Sequence, residues 1–71
     1  MQTNTKALTR YRLAKGYSQT DLAEKAGLTP SHITRLETGK RGMRPSTAKA
    51  LADALDVKIE DIAILPVAAS A

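Results

Sequence analysis

The cations of this chain crowd into short stretches, and their chemistry is that of holding an anion. Residues 35–44 carry Arg35, Lys40, Arg41 and Arg44 against Glu37 alone, and residues 1–17 carry Lys6, Arg10, Arg12 and Lys15 with no acid. From residue 46 the balance reverses, with Asp53, Asp56, Glu60 and Asp61 outweighing Lys49 and Lys58. The total is 11 Lys+Arg to 7 Asp+Glu, a net charge of +4 over 71 residues. A basic region of this kind suits a polyanion partner, and a merely solvated basic surface is the competing reading.

Other chemistries find little support in the residues. His32 is the single histidine and there is no cysteine, so the usual zinc ligand sets cannot be assembled. A packing or phosphate-contacting role is left for it. The acids of the last third lack the spacing of a calcium loop. No nucleophile–base pair and no phosphate-cradling glycine loop stand out. The chain therefore reads as a non-enzyme, with no cofactor, no metal and no evident small-molecule ligand. No apolar run approaches the ~18 residues of a membrane span, and MQTNTKALTR lacks the apolar core of a secretory signal. A cytoplasmic protein without membrane contact is expected.

The elements that must position these charges can be placed from their boundaries. Residues 1–5 are polar and without periodicity, and a flexible end is expected there. A first helix runs from about Lys6 to Lys15 with Thr5 as cap, Leu8 and Arg12 on one face and Leu13 beside them. Gly16 ends it, and Tyr17 stands where an apolar residue can staple onto Leu22. Ser18 caps a second helix, in which Leu22, Ala23 and Ala26 form a narrow apolar stripe. Gly27 supplies the positive φ that stops it. Thr29 caps a third helix with Pro30 at its first position, where a missing N–H costs nothing. Ile33 and Leu36 turn that helix inward, leaving Ser31, Thr34, Arg35 and Thr38 outside. Two short capped helices joined through glycine make a helix-turn-helix.

Beyond it, GKRGMRP is a basic loop by its charges and its breakers. Pro45 and Ser46 open a fourth helix, Ser46 as cap, with Ala48, Leu51, Ala52 and Leu55 at helical spacing. Residues 56–58 form a joint with Val57 buried. A last helix from Ile59 to about Leu65 carries Ile59, Ile62 and Leu65, and Pro66 stops it. There is no strand pattern, repeat or interdomain linker. One all-α domain of five helices over residues 6–65 is expected, with flexible ends at 1–5 and 66–71.

The stretch SQTDLAEKAGLTPSHITRLETGKR, residues 18–41, resembles the Cro/C1-type (XRE-like) helix-turn-helix DNA-binding proteins. Gln19 opens the second helix as in that family, Ala23 follows four residues on, and Gly27 occupies the turn. The later apolar pair falls on Ile33 and Leu36, followed by Glu37, Gly39 and Lys40. The likeness extends from about Leu8 to Leu65. It implies a compact, lambda-repressor-like five-helix domain. It also implies a structural ion pair between Arg12 of the first helix and Glu37 at the end of the third. Two positions depart from the pattern. Pro30 stands where many members place a polar base-reading side chain, and Lys58 where Ser or Thr often caps the last helix.

A major groove about 12 Å wide admits one helix, whose outward side chains meet base edges. The candidate base contacts are Pro30, as an apolar surface, with Ser31, Thr34 and Arg35. Arg35 can hold guanine O6 and N7 together, worth about 1–3 kcal/mol of discrimination. The candidate phosphate contacts are Gln19 and Thr29 at helix N-termini, and Lys40, Arg41 and Arg44 in the basic loop. Lys6, Arg10 and Tyr11 are weaker candidates at the flank. One such helix reads only a few base pairs, so a homodimer on a palindromic operator is expected. Ile62, Ile64, Leu65 and Val67 are its candidate interface. The functional expectation is a sequence-specific double-stranded DNA-binding transcriptional regulator, most simply a repressor acting by promoter occlusion. An antitoxin or a restriction-modification controller would carry the same motif. A protein-interaction adaptor on the same fold is the alternative from another class, and it has less use for the charge of Lys40 to Arg44.

Overall fold

The computed structural model describes residues 1–65. Its elements are β1 (Gln2–Thr3), α1 (Thr5–Ala14), α2 (Gln19–Ala26), α3 (Pro30–Glu37), α4 (Pro45–Leu55), α5 (Ile59–Ile62) and β2 (Ala63–Ile64). The tail over 66–71, with the stop at Pro66 and the interface candidate Val67, lies outside the described residues. No helix among those described is long and apolar enough to cross a membrane.

The α2–α3 pair forms for local reasons. The Ser18 hydroxyl accepts from Asp21 N at 3.0 Å, and the Asp21 carboxylate accepts from Ser18 N at 2.9 Å. This reciprocal box satisfies two of the donors that a helix start leaves open. Gly27 follows α2 at φ 72°, in the left-handed region where a side chain would be strained. Thr29 Oγ1 accepts from His32 N at 3.2 Å, with Pro30 in the first turn of α3.

The core lies between the helices. Leu8, Leu22, Ile33, Leu36, Leu51, Leu55 and Ile62 are fully buried, with Ala23, Ala48, Ala52, Met43 and Ala63 filling between them. Burying each of the larger side chains contributes roughly 1.5–3 kcal/mol. Tyr17 packs at the edge of this core, and the Lys25 ammonium lies 5.3 Å from its ring centre. Leu13, read from sequence beside the inward face of the first helix, is instead 61% exposed. It follows Arg12 by one residue, about 100° further round the helix.

Three boundaries differ from the sequence expectation. The cap of α1 is Asn4, whose Oδ1 accepts from Ala7 N at 3.2 Å; Thr5 is the first helical residue. The residue before α4 is Arg44, which makes no side-chain cap, and Ser46 lies inside the helix. Pro45, with its fixed φ and no N–H to cap, takes the first position and shifts the cap one residue upstream. Lys58 precedes α5 as the sequence places it, with only half a box, its N–H donating to Asp61 Oδ2 at 3.0 Å. α5 ends at Ile62, because Ala63 turns extended at φ −136° and ψ 147°.

That extension makes the largest difference. Within residues 1–5, expected as a loose end, Gln2–Thr3 forms a strand antiparallel to β2, with Gln2 opposite Ile64 and Thr3 opposite Ala63. Asn4 N donates to Ile62 O at 2.9 Å. On the other side, Met43 N donates to Met1 O at 2.8 Å, and Met1 N to Met43 O at 3.1 Å. The Thr3 hydroxyl donates to Arg41 O at 3.2 Å. The first residues thus strap the basic loop to the far end of the domain. Gly42 lets them pass, since a Cβ there would stand 2.8 Å from Met1 O.

Gly42→Ala should therefore cost about 1–3 kcal/mol of stability, as overpacking does. Thermal unfolding checks this, and an unchanged midpoint would show that the strap contributes nothing at that point.

Candidate nucleic-acid interface

An ion pair lies behind the exposed face of α3. Arg12 Nε donates to Glu37 Oε2 at 2.6 Å and Arg12 Nη2 to Glu37 Oε1 at 3.1 Å, a two-pronged contact. Arg12 Nη1 donates to Tyr17 O at 2.9 Å. One guanidinium thus holds α1, the lead-in to α2 and the end of α3. The two side chains are only 11% and 7% exposed, so solvent screens them little. Geometry and additional hydrogen bonds decide whether such a pair stabilises, and here both are present.

Gln19 joins the same group. Its Nε2 donates to Glu37 Oε1 at 3.1 Å, and its Oε1 accepts from Thr34 Oγ1 at 3.0 Å. The Thr34 hydroxyl also lies 3.2 Å from Pro30 O, one turn back in α3. Two candidates read from sequence as outward contacts are therefore bonded to each other as well. The remaining polar residues of α3 stand free of the core. Pro30, Ser31, Thr34 and Arg35 are exposed while Ile33 and Leu36 are buried behind them.

Thr29, Ser31, His32, Arg35 and Arg41 line one shallow depression of about 190 Å³. It brings Arg41 of the loop beside the start of α3. Lys40 and Arg44 are exposed in the same loop. Lys40 N donates to Arg35 O at 3.0 Å, which closes α3 and fixes where the loop departs. Thr5, Lys6, Thr9, Arg10 and Glu37 line a second open hollow, so two cations of α1 flank the end of α3.

His32 sits between core and surface, and its Nε2 has no hydrogen-bond partner. Its pKa is held below the ordinary 6.5, first by burial, then by Arg41 and Arg35. At the exposed capping box, the hydrogen bonds from Ser18 hold the Asp21 carboxyl below its ordinary value.

At the other end, Ile64 and Leu65 are 53% and 46% exposed. Ile62, read as an interface residue, is fully buried in the core and cannot face a partner. Ile62 is the last residue of α5 and Ala63 is buried beside it; Ile64 is the residue of β2 that is turned out, and Leu65 follows the strand. What sequence reasoning missed entirely is the part of Met1 and Thr3 in holding the loop. No periodic pattern marks a two-residue strand whose partner lies 61 or so positions away.

A family model described as helix-turn-helix matches residues 8–62, most of the chain. The chain belongs to the helix-turn-helix family of the Cro/C1 (XRE) type. Solved structures agree with this helix-turn-helix assignment. The restriction-modification controller protein C.AhdI from Aeromonas hydrophila is 35% identical with a TM-score of 0.77, over 80% of this chain and 86% of its own. SinR, solved in complex with DNA and described as a master regulator for biofilm formation, is 30% identical with a TM-score of 0.75. That match spans 79% of this chain and 90% of the other. A hydroxyethylphosphonate dioxygenase matches 92% of this chain at 29% identity and a TM-score of 0.78, but over only 14% of its own length. Among proteins of curated function, none matches the sequence. As a helix-turn-helix protein of this type, the chain is a DNA-binding regulator of transcription rather than an enzyme.

Two outcomes follow from this geometry. Glu37→Ala leaves the buried Arg12 charge unpaired and should cost about 3–5 kcal/mol in denaturant unfolding. A loss under 1 kcal/mol, the value of an exposed pair, would contradict the burial. For His32, the unfolded chain takes up a proton below pH 6.5 while the folded one resists. Stability should therefore fall as pH drops through 6.5, until the lower folded pKa is passed. His32→Gln should flatten this part of the stability–pH curve. An identical pH dependence in the variant would contradict it.

Proposed function

We propose that this helix-turn-helix protein binds a palindromic operator in double-stranded DNA as a homodimer and represses transcription by covering a promoter. The observation that carries the reading is the exposed row Pro30, Ser31, Thr34 and Arg35, set beside the cations of the following loop. Base contact falls to Ser31, Thr34 and Arg35, with Pro30 as an apolar surface for a thymine methyl. Gln19, Thr29, Lys40, Arg41 and Arg44 hold phosphates. Gln19 has a second Nε2 hydrogen left for this after the first is given to Glu37.

Arg44 supports the phosphate assignment by breaking a local rule. It stands at the uncapped N-terminus of α4, where the helix dipole disfavours a cation. Ser, Thr, Asp or Asn would stabilise that position. A residue that costs local stability there is explained by a partner anion shared between the helix N–H groups and the guanidinium.

The dimer contact falls to the exposed Ile64 and Leu65, with Val67 beyond the described residues. A two-fold pair would place two α3 helices on half-sites one helical turn, about 34–36 Å, apart. The similarity to C.AhdI favours a controller of a restriction-modification system as a narrower version of the same reading.

Duplex affinity should fall steeply with salt, log K changing by about −0.9 per phosphate for each unit of log salt. Arg44→Ser should raise thermal stability by about 1 kcal/mol while weakening all duplexes alike and reducing the salt slope by about 1. Flat salt dependence would remove the DNA reading. An unchanged slope in the variant would remove Arg44 from the phosphate set.

A further inference from the structure

The bonds around Thr34 determine which way its hydroxyl proton points, and hence what the side chain can read. Glu37, whose two oxygens each accept from Arg12, offers only acceptors to Gln19. The Gln19 amide must therefore turn Nε2 toward Glu37, at 3.1 Å, and Oε1 toward Thr34, at 3.0 Å. The reversed amide would set two oxygens against each other. A threonine hydroxyl has one proton, and both groups within its reach, Gln19 Oε1 and Pro30 O, are acceptors. The proton is consumed inside the protein. What Thr34 has left for a ligand is an oxygen lone pair and a methyl group.

We propose that Gln19 is a positioning residue for base selection. By taking up the Thr34 proton, it makes position 34 an acceptor-and-methyl reader that favours an A·T pair and rejects guanine. This rests on the DNA-binding reading above. In the major groove adenine shows an amino donor, and its thymine partner a methyl group. Guanine shows only acceptors there, N7 and O6, which a hydroxyl without a free proton cannot satisfy. Cytosine offers a donor without a methyl and ranks between them. An acceptor set against guanine is repulsive, so the selection is by exclusion as well as by attraction.

The test is selection from a random duplex pool with the wild-type chain and with Thr34→Ser, Thr34→Val and Gln19→Ala, each variant checked for wild-type helicity. Thr34→Ser identifies the base pair read, as the position whose profile it changes. The wild type should prefer A·T over G·C there by about tenfold. Replacing that thymine with uracil, which removes only the methyl, should weaken wild-type binding and leave Thr34→Ser unaffected. Thr34→Val keeps the methyl and should still prefer thymine. Gln19→Ala should weaken the exclusion of guanine at the same base pair, because the nearer acceptor is gone and only the longer contact to Pro30 O, at 3.2 Å, still competes for the proton.

A wild-type preference for guanine at that position would overturn the proposal. So would a Gln19→Ala protein that binds every sequence more weakly with an unchanged profile, the behaviour of a phosphate contact alone. Thr34 variants that alter no position also overturn it, and leave the DNA reading intact. Failure of the wild type to enrich any duplex overturns the DNA reading, and this proposal with it.

Discussion

The fold of this protein turns on the buried pair between Arg12 and Glu37. A small domain with no cysteine and no large aromatic core has few ways to fix the angle between short helices. The apolar contacts of Leu22, Ala23, Ile33 and Leu36 bring α2 and α3 together, and such contacts are tolerant of small rotations. The guanidinium is less tolerant. It meets a carboxylate in two directions and a backbone carbonyl in a third. Its bonds reach α1, the start of α2 and the end of α3 together. The polar face of α3 is thereby held at one orientation, and a helix that reads base edges needs its side chains within a few tenths of an ångström.

The pair also extends outward through Gln19 to Thr34, so core and surface are one hydrogen-bonded chain. In such a chain each group fixes the proton direction of the next. A charge buried for stability thus reaches a side chain on the exposed row. The second support comes from the chain start, where the strap of residues 1–4 holds the backbone of the basic loop at Arg41 and Met43. One face is set by an ion pair and the adjoining loop by a two-residue strand.

Features carried by local chemistry were legible in the sequence. Ser18, Gly27, Thr29 and Pro30 each have one strong positional meaning, and their spacing gave α2 and α3 with correct boundaries. Ile33 and Leu36 gave the buried face, and hence the exposed one. Features decided at a distance were not legible. Two residues near the start pair with two near residue 64, and neither segment has a period to read. α5 ends where that pairing begins, and Ile62, which hydropathy alone ranks with Ile64, is buried in the core. The bonding of Gln19 to Thr34 also depends on how two helices cross. Pro45 is a local signal as well: a proline at the first helical position moves the cap to Arg44, not to Ser46.

The decisive measurement is to titrate a selected duplex into the isotope-labelled protein and follow each backbone amide by NMR. The largest shifts should fall at residues 19–20, 29–35 and 39–44, with α1 near Lys6 and Arg10 weaker and the buried face of α4 unmoved. Shifts confined to the exposed face of α1 around Ala7, Tyr11 and Ala14, or to Ile64 and Leu65, would contradict it.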